Sequence, residues 1–254
     1  MCKVIRVGQA AKFGDLRNRH DAIRTLLEAL LAHVLPRDCA LCNVPTGGAH
    51  LCSDCVAALR GSIADPASCP QCALPSPAGV TCGSCLKQPF TFDRTIALWS
   101  YQYPIDRLIQ ALKYHAKLPL ADFFAETLAC AVSDTKVDLV LAVPLARARL
   151  RSRGFNQSVE IARRVARRIG VPIALDAVTR SRSSRPQAEL PLAARHRNVR
   201  GVFTAQPILL GSRVAIVDDV MTSGATLDAV AQAAKRAGAI YVENWVVARA
   251  QLRR

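Results

Sequence analysis

Aromatic residues make up only 5% of this 254-residue chain, which argues against an extensive platform for stacking nucleic-acid bases. No apolar run approaches the roughly eighteen uncharged residues that a membrane-spanning helix requires. The opening stretch has basic residues but no apolar segment followed by a cleavage site, so no secretory signal is expected. These gaps point to a cytoplasmic protein without membrane insertion. Acids are scarce, 19 against 34 Lys and Arg, and the net charge is +15. The excess is concentrated. Residues 145–213 hold fifteen arginines, three acids and no lysine. Arginine forms bidentate contacts with phosphate. Such a stretch attracts polyanions through counterion release. Single-stranded DNA is one candidate partner, pyrophosphate a smaller one, and a solvated basic surface the plain alternative.

The chain is long enough for one sizeable core plus a small satellite module. The satellite is visible in the cysteines. Eight of ten form four C-x-x-C pairs: Cys39/Cys42, Cys52/Cys55, Cys69/Cys72 and Cys82/Cys85. C-x-x-C turns two thiolates onto one metal, and two pairs complete a tetrahedral S₄ site. In a reducing compartment disulfides are disfavoured. Two structural zinc ions are therefore expected, with an Fe–S cluster or redox dithiols as rivals. Spacing leaves the pairing open, sequential or interleaved. An all-cysteine ligand set leaves no open catalytic position.

Along the chain, residues 1–20 read as irregular. Residues 21–35 show helical apolar spacing, with Asp21 as a cap and Pro36 beyond. The cysteine module spans 37–90, and a boundary falls near Phe90–Thr95. The expected division is thus 1–36, 37–90 and 91–254. In the third part, 95–103 reads as a strand, followed by helices over IDRLIQALKYH and about 119–132. VDLVLAVP (137–144) reads as a buried parallel strand. A basic loop leads to a helix from about Gln157 to Ile169, closed by Gly170. VPIALDAVTR reads as a short strand, and the turn-rich segment 181–200 is a candidate lid. Residues 240–249 form a last strand. This alternation predicts an α/β fold with a doubly wound, largely parallel sheet.

The densest signal is VAIVDDVMTSGATL, 214–227. Val214 to Val217 read as a buried strand carrying Asp218 and Asp219 at its carboxyl end, where ligands bind in open α/β sheets. Val220 and Met221 lead into a turn of Thr222, Ser223, Gly224, Ala225 and Thr226. A helix follows from Thr226 or Leu227 to about Ala237, with Gly238 as its stop. A tight loop opening a helix offers backbone N–H groups and a positive dipole end to phosphate. The paired carboxylates suit vicinal sugar hydroxyls, or a Mg²⁺ carried by the ligand. A phosphate cradle beside a sugar clamp points to a sugar phosphate.

This segment resembles the signature of type I phosphoribosyltransferases for 5-phosphoribosyl-1-pyrophosphate (PRPP). The resemblance implies that Asp218 and Asp219 hold the ribose hydroxyls and that Met221 to Thr226 wrap the 5′-phosphate, with Mg²⁺ accompanying PRPP. Three further blocks, YQYPIDRLIQALKYHAK, VPLARARLRSRGFNQSVEIA and TRSRSSRPQAELPLAARHRNVRG, resemble the ComF family, as does the cysteine module. That family joins such a module to a phosphoribosyltransferase domain. It includes competence proteins linked to uptake of single-stranded DNA, and a gluconate-utilisation protein. The resemblance implies competence-protein partners and backbone pyrophosphate contacts around Val143, within Ala142 to Leu145. Lys113, Arg147 and Arg153 are side-chain candidates for pyrophosphate or nucleic acid. Asp218 or Asp219 would assist proton transfer to an acceptor. Asn156 and Gln157 either bind ligand or cap their helix. Two other readings stand beside this one: a zinc-stabilised adaptor for single-stranded DNA and proteins without transferase activity, and a nucleotide-salvage phosphoribosyltransferase.

Overall fold

A computed structural model describes residues 38–46, 49–63, 67–180 and 201–251. The expected features of 1–20, of the 21–35 helix and of the 181–200 lid lie outside these. The chain divides into two compact units, Met1–Gly61 and Ser62–Arg254.

The first unit contains one cysteine ribbon. Asp38 and Pro45 bridge antiparallel around Cys39 and Cys42, and helix α1 (Ser53–Gly61) carries Cys55. The second unit begins with a copy displaced by thirty residues. Ser68 and Pro75 make the same bridge around Cys69 and Cys72, and helix α2 (Gly83–Lys87) carries Cys85. The repeat extends to backbone detail. Cys39 N bonds Val44 O at 2.9 Å, and Cys69 N bonds Leu74 O at 2.8 Å. Asn43 and Ala73 both take the left-handed conformation, at φ 58° and 55°.

Among the described residues, the rest of the second unit is built around a four-stranded sheet. Its strands are β1 (Arg94–Ser100), β2 (Leu139–Ala142), β5 (Arg213–Met221) and β6 (Tyr241–Arg249), in the order β1-β6-β5-β2, all parallel. Ile173 bridges Val140 in parallel at the far edge of β2. Helices α3 (Ile105–His115) and α4 (Pro119–Ala131) lead from β1 to β2. Helix α6 (Gln157–Ile169) leads outward from β2, and α7 (Ala225–Arg236) leads from β5 back to β6. These crossovers run in opposite directions, and parallel crossovers are right-handed, so α7 covers one face and α4 with α6 the other. The core agrees. Val214, Ile216, Val242 and Val246 pack with Leu227, Val230 and Ala234 of α7. On the other side Trp99, 2% exposed, stacks with Phe123 of α4 at 5.8 Å.

Helix boundaries follow local chemistry. The Asn156 side chain accepts from Ser158 N at the start of α6, and Gly170 ends it at φ 72°. Buried Glu243 is satisfied by Trp245 Nε1 at 2.6 Å and Tyr241 OH at 3.3 Å.

Three expectations are corrected. The segment after β2 is no simple loop, because Arg147–Arg153 form helix α5. Its arginines are good helix formers and Gly154 supplies the left-handed stop. VPIALDAVTR, expected as a short strand, is not a strand throughout. Only its end forms β3 (Val178–Arg180), antiparallel to β4 (Phe203–Ala205) in a separate ribbon. Finally, β5 runs past the acids to Met221, because the longer β6 keeps pairing there, Met221 opposite Arg249.

Candidate functional site

The sheet has a switch point between β2 and β5, where one crossover leaves in each direction. A crevice opens there beyond the carboxyl ends of the strands. The N-termini of α6 and α7 belong to the crossovers that leave it. The sequence places its acids at this point. Pairing of β5 with β2 stops at Val217 opposite Ala142, so Asp218 and Asp219 lie just past the end of the shorter strand.

The two carboxylates differ in surroundings. Asp218 Oδ1 accepts from Ser158 Oγ at 2.8 Å and from Asp219 N at 2.9 Å. Burial, then the neighbouring Asp219 charge, push its carboxyl up to about 7, against the Ser158 donor and the Lys113 charge. Asp219, 4% exposed, meets Lys113 Nζ at 2.8 Å. Burial alone would lower the Lys113 ammonium. The Asp219 carboxylate outweighs it and raises the ammonium above its usual range.

The turn after the acids is shaped for an anion. Gly224 stands at φ 81° as the N-cap of α7. A Cβ there would meet Met221 Cε at 2.8 Å and Phe90 Cε1 at 3.0 Å and would be held at a φ that favours glycine, so any side chain is strained here. Buried Ser223 turns its Oγ inward to accept from Ala225 N at 3.3 Å. The backbone N–H groups of Thr222, Ser223, Gly224, Thr226 and Leu227 have no protein acceptor among the described residues. Unpaired N–H groups at a helix start form an anion site. Asp218, Val220, Met221, Thr222, Gly224, Ala225, Thr226 and Leu227 line a small pocket of about 50 Å³.

The remaining candidates separate. Val143 N is bonded to Val217 O at 3.1 Å, and Val143 O accepts from Asn156 Nδ2 at 3.0 Å. Its own amide and carbonyl are thus used within the fold. Asn156 caps α6 and ties it to the end of β2, the structural member of the two roles expected for it. Gln157 is buried and accepts from Arg153 Nη1. Arg153 also lies over the exposed Tyr114 ring, 5.4 Å from its centroid. Arg147 is exposed on α5. Several other arginines of the basic stretch serve the fold. Arg164 pairs with Glu160 at 2.6 Å and Asp122 at 3.1 Å, Arg180 covers Phe203, and Arg213 covers Tyr241 at 4.0 Å.

Sequence reasoning missed Ser158, Phe90 and Arg249. Ser158 follows the Asn156 cap by two residues, and that spacing was its only signal. Phe90 reaches the site across more than a hundred residues of chain and Arg249 from the end of the next strand, contacts that no local pattern records.

The cysteines gather into two sets, Cys39, Cys42, Cys52, Cys55 and Cys69, Cys72, Cys82, Cys85. The pairing is sequential. Within each set all sulfurs lie within 4.8 Å of one another. Tetrahedral zinc with Zn–S near 2.3 Å spaces its sulfurs by about 3.8 Å. Cys42 and Cys52 are 3.6 Å apart, and Cys72 and Cys82 are 3.7 Å apart. Backbone N–H groups point at the same sulfur in each copy, Cys52 N to Cys39 Sγ at 3.4 Å and Cys82 N to Cys69 Sγ at 3.3 Å. Burial would raise the Cys39 thiol, but N–H donors from Cys42 and Cys52 bring it down to about 6. This donor set fits zinc thiolate sites.

Fold and site together define a phosphoribosyltransferase-type domain that carries a double zinc ribbon. The phosphoribosyl transferase domain family matches residues 156–251, and the double zinc ribbon family matches residues 30–86. The DNA utilization protein YhgH of Shigella flexneri is 32% identical over 225 residues, covering 85% of this chain and 98% of that protein. Competence protein F of Haemophilus influenzae is 29% identical over 179 residues, covering 66% and 78%. Among solved structures, a glutamine PRPP amidotransferase from B. subtilis, complexed with ADP and GMP, aligns at 25% identity. That alignment covers 50% of this chain and 25% of that one, with a TM-score of 0.36, and it carries no weight here. The chain belongs to the ComF family. Among the described residues no helix is long and apolar enough to cross a membrane.

Proposed function

We propose that this chain is a competence-related, phosphoribosyltransferase-like protein whose switch-point crevice binds PRPP. The observation that carries the reading is the loop Met221 to Thr226, with unpaired N–H groups and a glycine where any side chain is strained, beside Asp218 and Asp219. The loop would hold the 5′-phosphate. Asp218, which lines the pocket, would accept from a ribose hydroxyl, with Asp219 as its neighbour. Among the described residues no cation pairs with Asp218, so its carboxylate fits a hard cation arriving with the substrate. Mg²⁺, when bound, supplies charge neutralisation on the pyrophosphate.

In a transfer reaction, pyrophosphate would leave the ribose C1 through an oxocarbenium-like transition state. Lys113 would exchange its Asp219 partner for the departing charge. Arg147 and Arg153 stand on and at the end of α5, beside the end of β2, as further contacts. Asp218 or Asp219 would take the acceptor proton. The domain division 1–36, 37–90 and 91–254 and a cytoplasmic location complete the proposal.

The names of the relatives extend it to DNA. Exposed Arg147 and Arg151, four residues apart on one side of α5, form a basic face suited to a single-stranded phosphate backbone. That face also favours the second reading, an adaptor for single-stranded DNA and competence-protein partners. Calorimetric titration with PRPP and Mg²⁺ tests the first reading. Saturable binding that ribose 5-phosphate competes away supports it, and no heat with either compound contradicts it. DNA binding unchanged in Asp218→Ala/Asp219→Ala, with no PRPP binding, would favour the adaptor.

A further inference from the structure

Arg249 ends β6 and is 4% exposed. Among the described residues no carboxylate lies within ion-pair distance of it. Its donors go to backbone carbonyls instead. Nε donates to Cys72 O at 2.6 Å. Nη1 donates to Met221 O at 3.0 Å, to Ala250 O at 2.7 Å and to Thr222 O. Cys72 belongs to the second ribbon, and Met221 and Thr222 open the phosphate loop. One guanidinium thus joins the metal knuckle to the loop.

A second tether leaves the same knuckle. Gln71 lies between the ligands Cys69 and Cys72. Its Nε2 donates to Phe90 O at 3.1 Å and Phe92 O at 3.2 Å. Phe90 stacks on Phe92 at 4.7 Å and limits the space at Gly224. Between them, Thr91 N bonds Asp228 Oδ1 at 2.6 Å in the first turn of α7. The loop is therefore held from both sides by residues anchored on one C-x-x-C turn. Electrostatics favours the same arrangement. A zinc ion with four thiolates carries a net charge of about −2. A buried guanidinium is costly without nearby negative charge. Cys69, Cys72 and Cys85 share one buried cluster with Met221, Ala225 and Leu227, so the knuckle and the loop form one packed body.

We propose that Arg249 is a positioning residue that couples the second cysteine site to the phosphate loop, so that zinc held by Cys69, Cys72, Cys82 and Cys85 sets the loop's affinity for a phosphorylated ribose. This rests on the reading of the crevice as a PRPP site. Coupling between two sites is reciprocal. Ribose 5-phosphate therefore raises the affinity of the second site for zinc by the factor with which zinc raises its own.

The test uses the full chain carrying Cys39→Ser, so that the second site alone reports. Zinc is titrated out at equilibrium with a chromogenic chelator, with and without saturating ribose 5-phosphate. The expected result is a shift of the chelator midpoint by roughly fivefold or more. Adding Arg249→Lys, which keeps the charge but loses the fork, collapses the shift toward one while ribose 5-phosphate still binds by calorimetry. If thermal unfolding shows that Arg249→Lys does not fold, Gln71→Ala takes its place. Ribose 5-phosphate binding with an unshifted midpoint overturns the coupling and leaves the PRPP reading standing. A shift of full size in both variants overturns the role given to these residues. Absence of ribose 5-phosphate binding in the unmutated protein overturns both.

Discussion

Lys113 and Asp219 form a short ion pair, 2.8 Å from Nζ to Oδ2, in the crevice where a substrate ribose and its pyrophosphate would meet. The carboxylate is 5% exposed and the ammonium side chain 19%. Removing one member of a buried pair costs more than removing both, because the remaining charge is left unpaired. Lys113→Met is therefore expected to destabilise the domain by about 2–4 kcal/mol, and Lys113→Met/Asp219→Leu by less. Denaturant unfolding of the unmutated protein and the two variants checks this.

The same residue separates two ligands. Only PRPP carries pyrophosphate, so Lys113→Ala should weaken PRPP about tenfold or more and ribose 5-phosphate much less, a loss typical of a charge-assisted hydrogen bond. Paired calorimetric titrations read the difference. Equal losses would confine Lys113 to holding Asp219.

Asp218 sets a pH dependence with a definite sign. Its carboxyl is raised to about 7 in the fold, against about 4 in the unfolded chain. Between those values the unfolded state releases its proton first. Stability from this group is thus full below about 4 and falls as pH rises to about 7. Asp218→Asn should flatten that part of the stability profile and raise stability at pH 8. It should also weaken PRPP, roughly 10–100-fold, because an amide is a poorer acceptor for a ribose hydroxyl. Melting temperature against pH and a PRPP titration report the two effects.

Any side chain at Gly224 is strained. Gly224→Ala forces a Cβ against Met221 Cε and Phe90 and holds alanine at φ 81°. The left-handed conformation alone costs about 1–2 kcal/mol. Ribose 5-phosphate affinity should fall at least tenfold with the second ribbon still metallated, as elemental analysis would check.

Metal content should be two zincs per chain. Cys42→Ser and Cys72→Ser should each leave about one. Only Cys72→Ser should also shift the melting of the sheet domain, because Cys72 lies in its core and its carbonyl receives Arg249.

The basic face of α5 should appear as salt dependence. Replacing Arg147 and Arg151 with alanine should lower the slope of log affinity against log salt by about 1.4 for single-stranded DNA. An unchanged slope would place the contact elsewhere.

Much of this architecture is legible in local pattern. Strand β5, the acids and the loop announce themselves because strand, carboxylates and glycine fall within fourteen residues. The thirty-residue displacement of the cysteines is equally plain, and their sequential grouping follows once each knuckle folds on its own neighbours. Helix α5 was hidden because RARLRSR has no apolar stripe, and its arginines read as solvated loop as readily as helix. The partner of β3 was not legible, because a short apolar run does not say which sheet it joins. Ser158, Phe90 and Arg249 depend on tertiary contacts. Arg249 looks like an ordinary terminal cation of a strand until its carbonyl partners from the knuckle and the loop are seen together.

The central claim is that the turn after Asp218 and Asp219 grips the phosphate of a phosphorylated pentose. Amide hydrogen exchange on residues 222–227 of the full chain, with and without ribose 5-phosphate, addresses it most directly. Marked slowing confined to that turn and the start of α7, lost in Gly224→Ala, is the expected result. Exchange unaltered at saturating sugar phosphate, or slowing elsewhere in the sheet domain alone, would contradict it.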